Sequence, residues 1–122
     1  MKEIKFRAWD KEEKKIYLVY KWALANHDSG AIKLLKNNGY PEKVEWQSLG
    51  SVELMQYTGL KDKNDKEIYE GDIVRYGEEE FDIAPIVFSG GAFCIKIFTL
   101  YSYLLHVEII GNVYENPELL TS

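Results

Sequence analysis

The stretch MQYTGLKDKNDKEIYEGDIV, Met55 to Val74, decides how the rest of this 122-residue chain reads. Three turn signals separate short β-like runs within it: Thr58-Gly59, the polar tip Asp62 to Lys66 centred on Asn64 and Asp65, and Gly71 between Glu70 and Asp72. Gly, Asn and Asp accept the left-handed backbone of tight reversals, so the pattern predicts a strand ending at Tyr57, a second over Glu67 to Tyr69 and a third over Ile73 to Tyr76. Strands this short between turns this close suit a small, strongly bent barrel in which each strand closes onto its neighbour. Neither a helix nor a catalytic loop is expected there.

Upstream of that stretch, Glu3 to Trp9 alternates Ile4, Phe6 and Ala8 with Lys5 and Arg7, which predicts a half-buried strand with Trp9 on the polar parity. The charged run Asp10 to Lys15 reads as a turn, and Ile16 to Tyr20 as the returning arm of a hairpin. Lys21 to Lys43 fits neither period over any length. A short helix through Ile32, Leu34 and Leu35 is predicted there, capped by Asp28 or Ser29 and stopped by Asn38, Gly39 and Pro41. Strands are then expected over Val44 to Trp46 and Val52 to Tyr57, with a turn at Ser48 to Ser51.

Downstream, Gly77 to Glu80 is an acidic tip leading into a hairpin with arms Phe81 to Phe88 and Ala92 to Phe98, reversed at Ser89-Gly90-Gly91. Pro85 within the first arm predicts an edge strand or a bulge, where its missing N–H does no harm. Thr99 to Leu105 reads as a helical turn or a wide connection. Val107 to Tyr114 is the last strand, with a bulge at Gly111, and Asn116-Pro117 opens a final helical turn carrying Leu119 and Leu120. The expectation is a mainly β (β-rich α+β) chain forming one domain over residues 1–122. Residues 1–57 would supply a hairpin, a short helix and strands, and residues 58–122 an SH3-like small-barrel portion.

Composition narrows the function classes. Nine Tyr, five Phe and three Trp make the chain aromatic-rich, which favours strands as carriers of the core. The net charge of −5 is unevenly spread: up to Lys66 there are thirteen Lys and Arg against ten Asp and Glu, and from Glu67 onward two against ten. An acidic second half repels phosphate backbones, and in the first half no run of like charge forms a stripe, so nucleic acid is not the expected partner. The split fits either a solvated surface or a head-to-tail meeting of opposite halves. One cysteine, Cys94, excludes an internal disulfide and a Cys-rich zinc site. With no apolar run long enough for a signal peptide or a membrane span, a cytoplasmic protein is expected.

Candidate sites are few. Asp62, Asn64 and Asp65 look like the start of a calcium loop, but the later positions fall on Lys66, Glu67 and Ile73, so a hairpin tip is the better reading. Cys94 with His27 or His106 offers a nucleophile and a base, although Cys94 lies in an apolar run where a buried, inert thiol is usual. Glu78, Glu79, Glu80 and Asp82 are adjacent carboxylates at one loop, where solvation rather than metal binding is the rule. The aromatics Trp9, Tyr17, Tyr20, Trp22, Tyr57, Tyr69 and Tyr76 fall on opposite strand parities, too many for one small core. Six of them, Trp9, Tyr17, Trp22, Tyr57, Tyr69 and Tyr76, are therefore taken as a candidate interaction surface. No catalytic residue, metal ligand or cofactor-binding residue is predicted.

Three segments carry a family resemblance. The opening EIKFRAWDKEEKKIY, the central MQYTGLKDKNDKEIYEGDIV and the closing VEIIGNVYENPELL together resemble the YopX family, small proteins of bacterial phages, prophages and plasmids. Where that family's tip usually reads Asn-Gly, this chain has Asn64-Asp65. The resemblance implies a β-rich fold with a few short helices and a tendency to form oligomers, and it carries no assigned activity, catalytic residue or cofactor. EIYEGDIV also resembles the entry strand of SH3-like small barrels. The function expected is that of a non-enzymatic phage or prophage accessory protein that self-associates or binds a host or phage protein. The alternatives are nucleic-acid binding through the first half, and an enzyme of unknown reaction, for which no triad, phosphate loop or metal cluster assembles.

Overall fold

Period-two alternation carries most of the described residues into antiparallel strands in a computed structural model that describes residues 5–19, 31–36, 44–96 and 98–121. The strands are β1 (Phe6–Asp10), β2 (Lys15–Val19), β3 (Ala31–Leu35), β4 (Val44–Ser48), β5 (Val52–Lys61), β6 (Glu67–Tyr69), β7 (Asp72–Tyr76), β8 (Asp82–Ser89), β9 (Ala92–Ile95), β10 (Phe98–Thr99) and β11 (Val107–Asn112). They form two antiparallel sheets, ordered β4-β3-β2-β1-β5-β6 and β10-β9-β8-β7-β11. The chain is therefore mainly β. It groups into two compact units, Lys5–Gln56 and Tyr57 onward, and β5 gives its first half to one and its second half to the other.

In the first unit the register sets two faces. Opposed residues of antiparallel strands point the same way, so the pairs Ala8↔Tyr17, Ala8↔Leu54, Val19↔Leu34 and Asp10↔Val52 define an inner face. There Ala8, Val19, Ile32, Leu34 and Val52 are buried as one cluster, with Phe6, Tyr17 and Leu49 packed against it. The opposite face carries Arg7, Trp9, Ile16, Leu18, Lys33, Leu35 and Trp46.

The helix expected through Ile32, Leu34 and Leu35 is instead strand β3, paired with β2 on one side and β4 on the other. Ile32 and Leu34 alternate with Lys33, and a full five-residue ladder to β4 outweighs one isolated turn of helix. The expected caps Asp28 and Ser29, and the stops Asn38, Gly39 and Pro41, lie outside the described residues.

In the second unit Ile68, Val74, Tyr76, Ala84, Ile86, Ile95, Leu100 and Val107 form the core. The turn expected at Thr58-Gly59 is not made: β5 runs on to Lys61, and only its register against β6 breaks between Tyr57 and Lys61. The Thr58 hydroxyl serves the break, donating to the Ile68 carbonyl at 2.7 Å and accepting the Leu60 N–H at 3.1 Å.

The expected polar tip is present, and Asp62 is its centre. This carboxylate is 6% exposed. Its Oδ1 accepts the N–H groups of Asn64 (2.8 Å) and Lys66 (2.9 Å), while Oδ2 accepts the Ile109 N–H of β11 (3.0 Å). The Lys63 N–H adds a bond to the Val107 carbonyl at 3.0 Å, so the tip covers one edge of β11.

Gly90 and Gly91, at φ +60° and +84°, make the two-residue reversal between β8 and β9. Pro85 stands in an interior strand rather than at an edge or a bulge. Ile86 turns its carbonyl towards Gly71, so by alternation the nitrogen of Pro85 faces β9, whose ladder begins only at Ile86↔Ile95. The missing N–H falls where β9 has already left at Lys96. The bulge expected at Gly111 is present opposite β7; a 310 turn at Leu100–His106 takes the first of the two alternatives expected there, a helical turn or a wide connection, and a 310 turn at Pro117–Leu120 matches the final helical turn expected.

Candidate interaction surfaces

The six aromatics taken from the sequence do not come together. Tyr57 and Tyr69 are cross-strand partners with ring centroids 5.5 Å apart, both buried, and Tyr76 belongs to the second unit's core. They are interior residues because β5 continues past Tyr57 and pairs it with β6. Tyr17 is half-buried on the inner face of the first unit, whereas Trp9 is half-buried on the outer one. Trp22 lies outside the described residues, as do Tyr20 and His27.

Tyr17 belongs to a polar cluster beside the first core. The Lys36 ammonium sits 3.9 Å from the Tyr17 ring centre, 3.6 Å from Asp10 Oδ2 and 3.2 Å from Glu13 Oε1. The Tyr17 hydroxyl donates to Glu13, and the Gln47 amide donates to Asp10 Oδ2 at 3.1 Å. Burial pushes the Asp10 carboxyl up, but the N–H groups of Glu13 and Glu12 and the charge of Lys36 outweigh it and hold its pKa below the ordinary value. The Tyr17 hydrogen bond lowers Glu13 and raises Tyr17 itself. Lys36 is pulled down by burial and raised, on balance, by Glu13 and its neighbours. A lysine held charged is a poor nucleophile, so the cluster neutralises buried charge and fixes the β1–β2 turn.

The remaining candidates are scattered. The Cys94 thiol donates weakly to the carbonyls of Ala92 (3.6 Å) and Ser89 (3.7 Å), while His106 Nε2 lies 3.0 Å from Glu78 Oε1, so neither is the other's partner. Lys96 lowers the Asp82 carboxyl by its hydrogen bond, and Asp82 raises Lys96 in turn. The Asp62 carboxylate that looked like a calcium ligand is taken up by three backbone N–H groups. Among the described residues no group of three or more His, Cys, Asp or Glu is placed to hold a metal ion.

The exposed apolar residues lie elsewhere. In the second unit, Phe88, Tyr101 and Leu105 are 54%, 75% and 82% exposed. A groove of about 520 Å³ with only uncharged walls, among them Thr58, Leu60, Phe93 and Thr99, runs between Phe88 and Tyr101. A second of about 360 Å³ continues from Tyr101 to Leu105 and His106. Tyr101 lines both, so the three side chains form one arc. Phe88 shares its parity with buried Ala84 and Ile86 and is exposed because β8 runs past the end of the core, its ring set edge-on to Phe93 at 5.0 Å. The run LYSYLLH, five apolar or aromatic residues in seven, is the signal that reveals Tyr101 and Leu105. In a 310 turn, side chains three apart eclipse, and a single stripe cannot bury all five.

The first unit's outer face also exposes apolar groups. Leu18 and Trp46 are 44% and 51% exposed, with Trp9, Ile16 and Leu35 half-buried among them. Arg7 and Lys33 stand on this face. The Arg7 Nε donates to Met55 Sδ at 3.4 Å, and the Lys33 ammonium lies 5.0 Å above the Trp46 ring.

Comparison with known proteins places the chain in a family. The family model described as YopX protein matches residues 5–121. No curated protein matches. Among solved structures, the crystal structure of protein EF1440 from Enterococcus faecalis is similar, with 30% identity and a TM-score of 0.70 over 98% of this chain and 99% of that one.

Proposed function

The chain belongs to the YopX family, and from that premise we propose that it is a non-enzymatic accessory protein of the phage and prophage kind. It works in the cytoplasm by self-association, using its surface rather than a reaction centre. The observation that carries this is the arc Phe88–Tyr101–Leu105. An aromatic side chain carries roughly 150–250 Å² of surface, so at these exposures the three present on the order of 350–400 Å² together. Two copies placed face to face would cover twice that from these residues alone. The groove walls would bring the total towards the roughly 1,200 Å² at which specific interfaces begin.

A second copy fits better than a charged ligand because the walls of the groove between Phe88 and Tyr101 are uncharged. From Tyr57 onward, five Lys and Arg stand against twelve Asp and Glu, a net charge of −7. Two such units repel through solvent, so an apolar two-fold contact between them should tighten as salt screens that repulsion. The five short strands of the second unit's sheet, with the resemblance of EIYEGDIV, support reading it as an SH3-like small barrel. Among the described residues no helix is long and apolar enough to cross a membrane.

Sedimentation velocity tests the reading. A dimer that strengthens from about 0.05 to 0.5 M salt is expected, with Tyr101→Ser plus Leu105→Ser weakening it by about 30-fold or more, the scale of a hot-spot loss. A protein that stays monomeric at high concentration across the salt series would refute it.

A further inference from the structure

The arc has a projection at one end and an unfilled space at the other, and both follow from the course of the chain. In the turn Leu100–His106, residues three apart eclipse one another. Leu100 is buried in the second unit's core, and Tyr103 and Leu104 pack against it. Leu105 instead eclipses exposed Ser102 and stands out from the turn at 82% exposure. It forms an apolar knob.

The space lies on the other side of Tyr101. The β9–β10 ladder ends at Thr99↔Cys94, where the chain turns off into Leu100, so β10 stops short of Ala92. Gly91 closes the hairpin without a side chain, and a Cβ there would meet nothing within 4 Å. What remains is the groove of about 520 Å³, with buried Leu100 beneath and Phe88 and Tyr101 at its sides. The two hydroxyls on its walls are already engaged, Thr58 with the Ile68 carbonyl at 2.7 Å and Thr99 with Ser102 at 2.7 Å. Water against such walls is held by few hydrogen bonds, so an apolar side chain gains by displacing it.

Tyr101 borders both features, since it lines the groove and also the hollow beside Leu105. In a two-fold contact, if one residue touches a second across the interface, the second touches the first in return. For the knob of each copy to reach the groove of the other, the axis must pass between knob and groove, and Tyr101 is the wall they share. We propose, on the premise that the arc joins two copies, that Leu105 of each copy seats in the other's groove between Phe88 and Tyr101, and that the two Tyr101 rings meet across the axis. An aliphatic side chain enters uncharged walls, and the centre of the contact is free of charge, as in other specific interfaces. Both knobs and both grooves are used, so this contact closes at two copies.

Two variants impair opposite halves of the seat. Leu105→Ala removes the knob and leaves the groove open. Gly91→Asn places an amide in the groove and leaves the knob, with a residue type that accepts the left-handed backbone at φ +84°. Sedimentation velocity of the full chain in about 0.5 M salt should show each variant dimerising about tenfold more weakly than the unaltered chain, because each homodimer loses both seats. Mixed one to one, the two variants should associate about threefold more tightly than either does alone. The mixed pair keeps one intact seat, Leu105 of the Gly91→Asn chain in the open groove of the Leu105→Ala chain. Gly90→Asn makes the same exchange one position outside the groove, at φ +60°, and should leave the dimer unchanged.

Circular dichroism checks that each variant is folded, and Phe88→Ser, which removes a wall of the groove, takes the place of Gly91→Asn if that chain does not fold. If the unaltered chain dimerises but the mixture is no tighter than its components, the arc is a contact in which Leu105 does not seat in this groove, and the proposal is overturned. Equal weakening by Gly90→Asn and Gly91→Asn overturns it as well. If the unaltered chain is itself monomeric, the premise has failed and the proposal falls with it, so the sedimentation of the unaltered chain tells the two failures apart.

Discussion

Removing the Asp62 carboxylate tests whether the Asp62 to Lys66 tip holds the second unit together. Asp62→Ala deletes three charge-assisted bonds, to the N–H groups of Asn64, Lys66 and Ile109. Asn64 and Lys66 are exposed, so water can reach their freed N–H groups, and each loss costs about 1 kcal/mol net. The Ile109 N–H is on a half-buried residue, and leaving it without an acceptor costs about 1–3 kcal/mol. The total is about 3–5 kcal/mol, a large share of the roughly 5–15 kcal/mol that holds a domain folded. Asp62→Asn separates the parts. Its carbonyl can keep both turn bonds on Oδ1, but its NH2 then faces the Ile109 N–H donor to donor, so a loss of about 1–3 kcal/mol is expected. Urea unfolding followed by far-UV circular dichroism gives the stabilities, and amide hydrogen exchange at Ile109 gives the local consequence. If Asp62→Asn is within about 0.5 kcal/mol of the natural chain and the Ile109 amide stays protected, the tip is not what secures the edge of β11.

Two further outcomes follow from backbone geometry and from charge. Gly77→Ala should destabilise by about 2 kcal/mol or more, because the new Cβ meets the Glu80 carbonyl, whereas Gly90→Ala, at φ +60° with nothing within 4 Å, should cost only about 1 kcal/mol; equal shifts in urea midpoint would contradict this. Asp10, Glu13, Asp82 and Glu108 all have folded pKa values below their ordinary ones. Their protons therefore bind the unfolded chain first, the stabilisation is complete above the ordinary carboxylate range near 4 to 4.5, and it drains away as pH falls through and below that range. Thermal melts from pH 7 to pH 2.5 should show a midpoint that is steady down to about pH 5 and then drops; a rise on acidification below pH 4 would reverse the sign.

The sequence displayed the strands that alternate locally and hid what depends on distant partners. The β1–β2 hairpin, the Asp62 to Lys66 tip, the Gly90-Gly91 reversal and the Gly111 bulge follow from residues within a few positions of one another. β3 does not, because Ile32 to Leu35 is too short to distinguish a turn of helix from a strand, and only its ladders to β2 and β4 decide. Thr58-Gly59 looks like a reversal until the Thr58 hydroxyl bridges it to Ile68, ten positions away. The interaction surface was the least legible part. Tyr57 and Tyr69 read as surface candidates in sequence because their opposition across β5 and β6 is a matter of register, and register does not show in either strand alone. Phe88 has the parity of a core residue and is exposed only because of where the core ends. Aromatic richness indicated that rings would surface, but could not say which.

The order of strands in the first unit also sets how it must assemble. β1, β2 and β3 are each bonded to the next strand in sequence, whereas β5 returns to pair with β1, Gln56 opposite Phe6, fifty positions apart. Closing that span costs about 2 kcal/mol more chain entropy than the five-position closure of Asp10 onto Lys15, and no sheet contact rewards it until β5 arrives. Formation of this unit therefore waits on the long-range return of β5, and a chain still emerging from the ribosome cannot complete that pairing before residue 56 is free.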